Sequence, residues 1–364
     1  MEQIDSVVQM LDNNGLRVID PHYTSTLDGA ALLALYRDMV LVRKLDEQAT
    51  ALQRQGELGL WAPLLGQEAA QIGSGRALAS QDYAFTTYRE HGVSWCRGVD
   101  PLEMLRFWRG TMHQAWNADL HRLYGYQVII GAQTLHATGY AMGSYLSGRS
   151  GTGNSQTDEA VVAYFGDGAM SEGDVNEAFV FAATYQAPIV FFCQNNQWAI
   201  SEPTRRQSRI PLVQRAQGFG LHGVHVDGND VIAVHATTLA ALERARSGGG
   251  PTLIEAVTYR MGAHTTSDDP TKYRNSSDDE YWRERDPINR LRIYLRAEAL
   301  LDDKTQSDLD EEANSLAERM RIGCRELPNP MPLSMFDNVY ASSDERLEEQ
   351  RHELQLILTK TGEL

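Results

Sequence analysis

Two short polar motifs carry oxygen donors suited to a divalent cation, and each directly follows an apolar run. Gly166-Asp167-Gly168 follows residues 161–165, and Asn195-Asn196 follows residues 188–193. Mg²⁺ takes oxygen ligands in a near-octahedral shell, usually one or two carboxylates together with phosphate oxygens. One Asp carboxylate and one Asn carbonyl leave room for two phosphate oxygens, and the glycines allow the main chain to approach them closely. Together the motifs predict a Mg²⁺-diphosphate site.

The apolar runs are typical of two buried strands joined by a helix. Both are rich in β-branched and aromatic residues and are too short for buried helices. Apolar residues recur at helical spacing between them, and Ser171 to Asp174 is typical of a capping box that opens the helix. Parallel strands joined by such a crossover end at one sheet edge, so Asp167 and Asn196 should meet where ligands of open α/β sheets bind. Taken singly, the motifs could be a tight turn and a loop.

Two further segments offer groups that could hold a diphosphate. Arg89, within Thr87 to Gly92, could offset the charge that Mg²⁺ leaves, although an exposed Arg89–Glu90 ion pair of little energetic value is the alternative. His264 follows a predicted strand at residues 252–257, so it should line the same crevice. There it could donate to a phosphate or move protons near neutral pH, whereas a lone loop histidine is usually solvated.

Composition excludes several classes of partner. The 364-residue chain has a formal net charge of -16 and a pI near 5.1, which argues against nucleic acid or an anionic membrane as the main partner. Cys96, Cys193 and Cys324 show no metal-ligand spacing, which favours a reducing cytoplasm. We find no signal peptide and no apolar stretch long enough to span a membrane.

The pattern along the chain predicts three parts. Residues 1–27 are polar and irregular, as in an arm outside the core, and residues 28–300 form an α/β domain with a mostly parallel sheet flanked by helices. A long helix from Asp28 to about Gln55 opens that domain. Residues 268–284 are polar and suggest a mobile loop. Residues 301–364 form a C-terminal helical extension, which ends in a charged amphipathic helix.

These segments, in this order, resemble the α subunit of the thiamine-diphosphate-dependent 2-oxoacid dehydrogenases, the decarboxylating first component of the pyruvate and branched-chain complexes. The resemblance extends from about Arg43 to Arg274 and covers most of the chain. The Mg²⁺ motif is common to thiamine enzymes, but Tyr88 to Gly92 and His264 to Asp269 are much more specific. The resemblance implies the thiamin diphosphate-binding fold.

The resemblance also implies roles for individual residues. The metal ligands would be Asp167, Asn196 and the main-chain carbonyl of Trp198. The residues around the cofactor would be Tyr88, Arg89 and His264 at the diphosphate, with main-chain groups of Gly166, Gly168 and Ala169, and Ile130 as the apolar wedge under the bent cofactor. The residues that organise the loop approached by lipoyl groups would be Arg260, Asp268, Tyr273 and Arg274, beside His264 in the catalytic set.

Two positions depart from the family pattern. Branched-chain members often carry Arg before the paired Asn, and here Gln194 stands there, so neutralisation of the diphosphate depends more on Arg89 and His264. The serine modified by regulatory kinases in animal relatives corresponds to Thr265, which argues against that kind of control.

The activity implied is oxidative decarboxylation of a small 2-oxo acid with acyl transfer to a lipoyl-lysine of an acyltransferase core. A branched-chain 2-oxo acid is slightly favoured over pyruvate. In this family a β chain supplies the glutamate that activates the cofactor, so an α2β2 heterotetramer is implied and the chain alone should be inactive. A transketolase-like or acetoin-cleaving thiamine enzyme and a scaffold subunit without cofactor are the alternatives.

Overall fold

A five-stranded, fully parallel sheet forms the centre of the computed structural model, which describes residues 6–112 and 116–363. Its strands lie in the order β1-β2-β3-β7-β6. They are β1 Tyr83–Phe85, β2 Val161–Gly166, β3 Ile189–Asn195, β6 His222–Asp227 and β7 Thr252–Val257. Two short antiparallel strands, β4 Trp198–Ala199 and β5 Glu202–Pro203, follow β3 outside the sheet. The prediction of a mostly parallel α/β sheet flanked by helices is confirmed.

Helices cover both faces of the sheet. In chain order they are α1 Gly29–Arg54, α2 Glu68–Ala77, α3 His91–Cys96, α4 Pro101–Arg109, α5 Ala118–His121, α6 Ala132–Leu146, α7 Gly173–Tyr185, α8 Thr204–Gln207, α9 Arg215–Phe219, α10 Val231–Arg246, α11 Ser276–Arg283, α12 Pro287–Ala297, α13 Asp303–Glu326 and α14 Glu345–Thr361. The helix expected from Asp28 is α1, and the Asp28 side chain caps it by accepting from the Ala31 N–H.

The central strands bury side chains on both faces, as parallel strands between helix layers do. In β2, Val162 and Tyr164 belong to one hydrophobic core with α1, α2 and α10, whereas Val161 and Phe165 belong to a second core with α6 and α7. Strand β3 pairs with β2 along its length, and β7 pairs with the other side of β3. The crossover predicted between the two motifs is therefore confirmed, and three strands end together at one edge.

Residues 8–11 of the N-terminal segment are packed into the core, so the expectation that this segment lies outside it is wrong there, while residues 1–5 lie outside the described part of the chain. Val8 pairs with Val226 at the free edge of β6, and Met10 and Leu11 are almost fully buried. The Asp230 carboxylate accepts from the main-chain N–H groups of Met10 and Leu11 at 2.7 and 2.6 Å. The sequence pattern did not predict this packing, because only three apolar side chains of an otherwise polar segment contact the core beside the edge strand β6.

Two local predictions were also wrong. Ser171 to Asp174 does not form a capping box, because a 3-10 turn at Asp167–Ser171 precedes α7 and its N-cap is Glu172, which makes no side-chain cap. The polar stretch 268–284 is not only loop, since it contains a 3-10 turn at Pro270–Lys272 and the helix α11. The three-part division at residues 27 and 300 remains a prediction.

Candidate cofactor and metal site

A cavity opens at the carboxyl edge of the sheet, where β1, β2, β3 and β7 end. Its walls come from the turn before α3, the loop before α6, the ends of β2 and β3, and the segment after β7. Ten of the predicted site residues line it: Tyr88, Arg89, Ile130, Gly166, Asp167, Gly168, Ala169, Asn196, Trp198 and His264. Arg260, Asp268, Tyr273 and Arg274 do not line it and lie behind its wall. The shared edge thus brings both oxygen-donor motifs to one cavity.

Asp167 is a buried carboxylate whose partners carry no positive charge. Only 2% of the residue is exposed, and no cationic side chain among the described residues lies within ion-pair distance of it. Oδ2 accepts from the Thr204 hydroxyl at 2.7 Å and from the Gln207 amide at 3.2 Å. Burial raises the pKa of Asp167, although these hydrogen bonds lower it in part. A cation placed in the cavity would offset the remaining cost.

Asn196 presents its side chain to the same cavity with a defined orientation. Its Nδ2 donates to Gln67 Oε1 at 2.9 Å, and its Oδ1 accepts from the Trp198 main-chain N–H at 3.2 Å. The Trp198 carbonyl accepts from Arg260 at 3.1 Å, which uses one of its two lone pairs and leaves the other for a metal.

Arg89 and Arg260 form a buried positive patch beside this cavity. Arg89 is 5% exposed and Arg260 is fully buried, and neither guanidinium forms an ion pair with a carboxylate in the described part of the chain. Arg89 donates instead to the Pro63 carbonyl at 2.6 Å and to the His264 carbonyl at 2.9 Å. Burial, followed by repulsion from Arg89, lowers the pKa of Arg260 to about 10. The alternative of an exposed Arg89–Glu90 ion pair is wrong.

His264 lies against both guanidinium groups. Its Nδ1 is 3.1 Å from Arg89 Nη2 and 3.3 Å from Arg260 Nη1. Because a guanidinium can only donate, Nδ1 is the acceptor and the proton of the neutral ring is on Nε2. Burial, with repulsion from the two arginines, lowers the pKa of His264 to about 3. The ring is therefore a neutral donor at physiological pH.

A small network fixes the segment that carries His264. The Asp268 carboxylate accepts from the His264 main-chain N–H at 2.8 Å and from the Tyr273 hydroxyl, which in turn accepts from Arg260 at 2.9 Å. Arg274 donates to the main-chain carbonyls of Arg260 and Gly262. These four residues hold the cavity wall and do not themselves contact the cavity.

Glycine is suited to the two positions of the first motif, Gly166 and Gly168, for different reasons. A side chain at Gly166 would meet no atom within 4 Å, so the main chain there is open to the cavity, as a close approach to phosphate requires. A Cβ at Gly168 would lie 2.7 Å from the Ala199 Cβ, so packing against β4 requires that glycine. Ile130, 44% exposed, lies at the cavity mouth.

Several site residues escaped the sequence analysis. Gln67 and Thr204 hold Asn196 and Asp167, and Gln133 lines the cavity with its Oε1 lacking a partner among the described residues. Gln67 and Asn196 are 129 residues apart in the chain, so no local spacing links them. Gln67 does fall within the stretch from Arg43 to Arg274 that carries the family resemblance, and that was the available signal.

No cluster of three or more His, Cys, Asp or Glu side chains in the described part of the chain could hold a metal, which fits a site built from one carboxylate, one amide and one main-chain carbonyl. No helix within residues 6–112 and 116–363 is long and apolar enough to cross a membrane.

The chain is similar to known proteins over most of its length. Residues 36–320 match the family model described as the dehydrogenase E1 component. The chain is 42% identical over 355 residues to the 3-methyl-2-oxobutanoate dehydrogenase subunit alpha of Mycobacterium tuberculosis (strain ATCC 25618 / H37Rv), covering 97% of this chain and 95% of that protein. It is 36% identical over 349 residues to the pyruvate dehydrogenase E1 component subunit alpha of Acholeplasma laidlawii, covering 94% of this chain and 97% of that protein.

Proposed function

This chain belongs to the dehydrogenase E1 component family, and we propose that it is the α subunit of a 2-oxoacid dehydrogenase that binds thiamine diphosphate with Mg²⁺. The resemblance noted from the sequence rests on the same segments that line the cavity. The family depends on thiamine diphosphate, whereas the metal and its ligands are our proposal.

The observation that carries the proposal is a separation of charge within one cavity. Asp167, a buried carboxylate, and Arg89, a buried guanidinium, both line the cavity and neither forms an ion pair within the described residues, while the buried Arg260 lies behind the wall beside His264. An ordinary structural ion pair would bring these charges together. A metal-bound diphosphate complements both, since the cation offsets the carboxylate and the phosphate oxygens offset the guanidinium groups.

Asp167, Asn196 and the Trp198 carbonyl would hold the metal. Asp167 has Oδ1 left for it, because Thr204 and Gln207 both bond to Oδ2. The phosphate oxygens would lie against Tyr88, Arg89 and the Nε2–H of His264, with main-chain groups of Gly166, Gly168 and Ala169 near them, and Ile130 would support the cofactor at the cavity mouth. Thiamine diphosphate supplies the electron sink for decarboxylation of a 2-oxo acid.

The remaining site residues keep His264 neutral and hold the cavity wall in place. Burial, together with repulsion from Arg89 and Arg260, lowers the pKa of His264 and keeps it neutral, so it can donate at Nε2 without becoming cationic. Asp268, Tyr273 and Arg274 fix the segment between β7 and α11, and we assign them to the wall that a lipoyl group approaches. A buried, water-poor wall strengthens each of these charge interactions.

The substrate we propose is a branched-chain 2-oxo acid, with pyruvate second. The ground for this order is the higher identity to the 3-methyl-2-oxobutanoate dehydrogenase subunit, 42% against 36% to 38% for the pyruvate dehydrogenase subunits. The acyl group would pass to a lipoyl-lysine of an acyltransferase core.

We also propose a β subunit as the partner, in an α2β2 assembly. The relatives are named as α subunits. Val128, Ile129 and Ile130, at the cavity mouth, are 58%, 71% and 44% exposed. Gly139 and Gly143 on α6 are also exposed, with no atom within 4 Å of an added Cβ. Apolar exposure of this kind next to a cavity is typical of a subunit interface.

Turnover by the co-expressed α and β chains tests the proposal. We expect lipoyl-dependent decarboxylation of 3-methyl-2-oxobutanoate at a higher kcat/KM than of pyruvate, and no activity of the α chain alone. A preference for pyruvate would reassign the substrate. Cleavage of acetoin, or transketolase activity, without lipoyl-dependent 2-oxo acid turnover would refute the proposed reaction.

A further inference from the structure

Gln67 is a buried amide that connects two cavity-lining residues. It is fully buried at the N-cap position of α2, yet its side chain does not cap that helix. Its Oε1 accepts from Asn196 Nδ2 and from Gln194 Nε2, both at 2.9 Å. Its Nε2 donates to the Leu64 carbonyl at 3.2 Å. All the hydrogen bonds of this side chain are therefore directed towards the cavity wall and the turn before α2.

The Leu64 carbonyl determines the orientation of all three amides. A carbonyl can only accept, so the nitrogen of Gln67 must face Leu64 and its oxygen must face Asn196 and Gln194. Both of those side chains must then present nitrogen to Gln67, which turns their oxygens away from it. The Trp198 N–H, which can only donate, independently fixes the Asn196 oxygen in the same sense.

We propose that Gln67 is a positioning residue that fixes the amide of Asn196 with its oxygen available to the metal. This inference rests on the proposed function, because it assigns a role towards Mg²⁺. Without Gln67, only the 3.2 Å contact with the Trp198 N–H would hold the Asn196 oxygen in place, so the amide would rotate more readily and present its NH₂ group, which cannot bind a cation. Loss of groups that orient a metal ligand typically weakens metal binding by about 10- to 100-fold.

The same orientation assigns a role to Gln194. Gln194 lines the cavity, and its buried Oε1 has no hydrogen-bond partner among the described residues. A buried acceptor without a partner is costly, so the group that meets it in the working site must donate. Gln194 would therefore accept a hydrogen bond from a donor in the cavity, such as a water or an amino group, and it does not neutralise phosphate as an arginine at this position would.

Binding of Mn²⁺ in the presence of thiamine diphosphate, followed by electron paramagnetic resonance on the assembled α–β complex, tests the proposal. Gln67→Met keeps the side-chain length and removes both hydrogen-bonding atoms. We expect the Kd for Mn²⁺ to rise about 10- to 100-fold. Ser74→Ala is the matched control, because this buried hydroxyl on α2 bonds to carbonyls of its own helix and does not line the cavity. It should leave the Kd unchanged.

A double-mutant cycle separates orientation from general damage. In an Asn196→Asp background the ligand offers an oxygen on either side, so Gln67→Met should no longer weaken Mn²⁺ binding. Equal weakening in both backgrounds, or an unchanged Kd in folded Gln67→Met, would overturn the proposal. If Gln67→Met does not assemble, Gln67→Glu, which loses the donor to Leu64 but keeps the oxygen that accepts from Asn196, should weaken Mn²⁺ binding by less than about 10-fold, and a larger loss counts against the proposal. A wild-type complex that binds no Mn²⁺ would instead refute the proposed function.

Discussion

Asp167→Asn should stabilise the metal-free protein while removing its response to metal. The Asn oxygen can take the place of Oδ2 and accept from Thr204 and Gln207, so the NH₂ group replaces Oδ1 at the cavity. Burial raises the pKa of Asp167, which means that its ionised form is held at a cost in the folded chain. Removing that charge should raise the free energy of unfolding by on the order of 1 kcal/mol.

The stabilisation of the folded complex by metal should be largely lost in Asp167→Asn. A ligand present at 100 times its Kd stabilises the folded state by about 2.7 kcal/mol, and at a Kd raised 100-fold the same concentration gives only about 0.4 kcal/mol. The assay is thermal unfolding of the α–β complex at a fixed scan rate, with thiamine diphosphate and with or without Mg²⁺. Asp303→Asn, at a side chain that is 92% exposed, controls for the change in net charge.

If Asp167 is a metal ligand, Asp167→Asn should raise the unfolding temperature relative to wild type without Mg²⁺ and lower it relative to wild type with Mg²⁺. A carboxylate with a purely structural role would lower stability when replaced and would leave the Mg²⁺-dependent increase intact. That pair of results would refute the assignment of Asp167.

Three further predictions concern the surrounding groups. Burial raises the pKa of Asp46 from 3.8 to about 7. An acid whose pKa rises on folding makes the protein less stable as the pH rises between the two pKa values. At about 1.4 kcal/mol per pH unit, the loss of stability between pH 4 and 7 is about 4 kcal/mol. Asp46→Asn should flatten this pH dependence in urea unfolding, and an unchanged profile would contradict it. His264→Ala should lower kcat for acyl transfer at least tenfold, which is roughly what a positioned hydrogen-bond donor contributes to the rate, and should leave the unfolding temperature nearly unchanged. An unchanged kcat would remove His264 from the site. Arg89→Met should weaken thiamine diphosphate binding by about 10-fold or more, through loss of a charge-assisted contact, whereas equal affinity in calorimetry would place the diphosphate elsewhere.

The sequence predicted the parts of the site that depend on strand ends. Asp167, Asn196 and His264 each follow a buried parallel strand, and the register of such strands alone brings their ends to one edge. Hydrophobic patterning identifies such strands in a single sequence, which is why these three residues could be placed without a structure.

The residues that orient the ligands could not be predicted in the same way. Thr204 reaches Asp167 from α8, a four-residue helix, and Gln67 reaches Asn196 from the turn before α2. Such contacts depend on how loops pack on the sheet edge, and buried amides have no periodicity. The packing of Val8 to Leu11 was missed for a related reason, since a short segment added to the edge of β6 leaves little hydrophobic pattern.

Calorimetric titration of thiamine diphosphate into the assembled α–β complex, with Mg²⁺ and then with excess chelator, tests the central claim most directly. We expect saturable binding with one cofactor per α chain in Mg²⁺ and a loss of that binding in chelator. Equal binding in both conditions, or no binding in either, would contradict a metal-anchored diphosphate at Asp167 and Asn196.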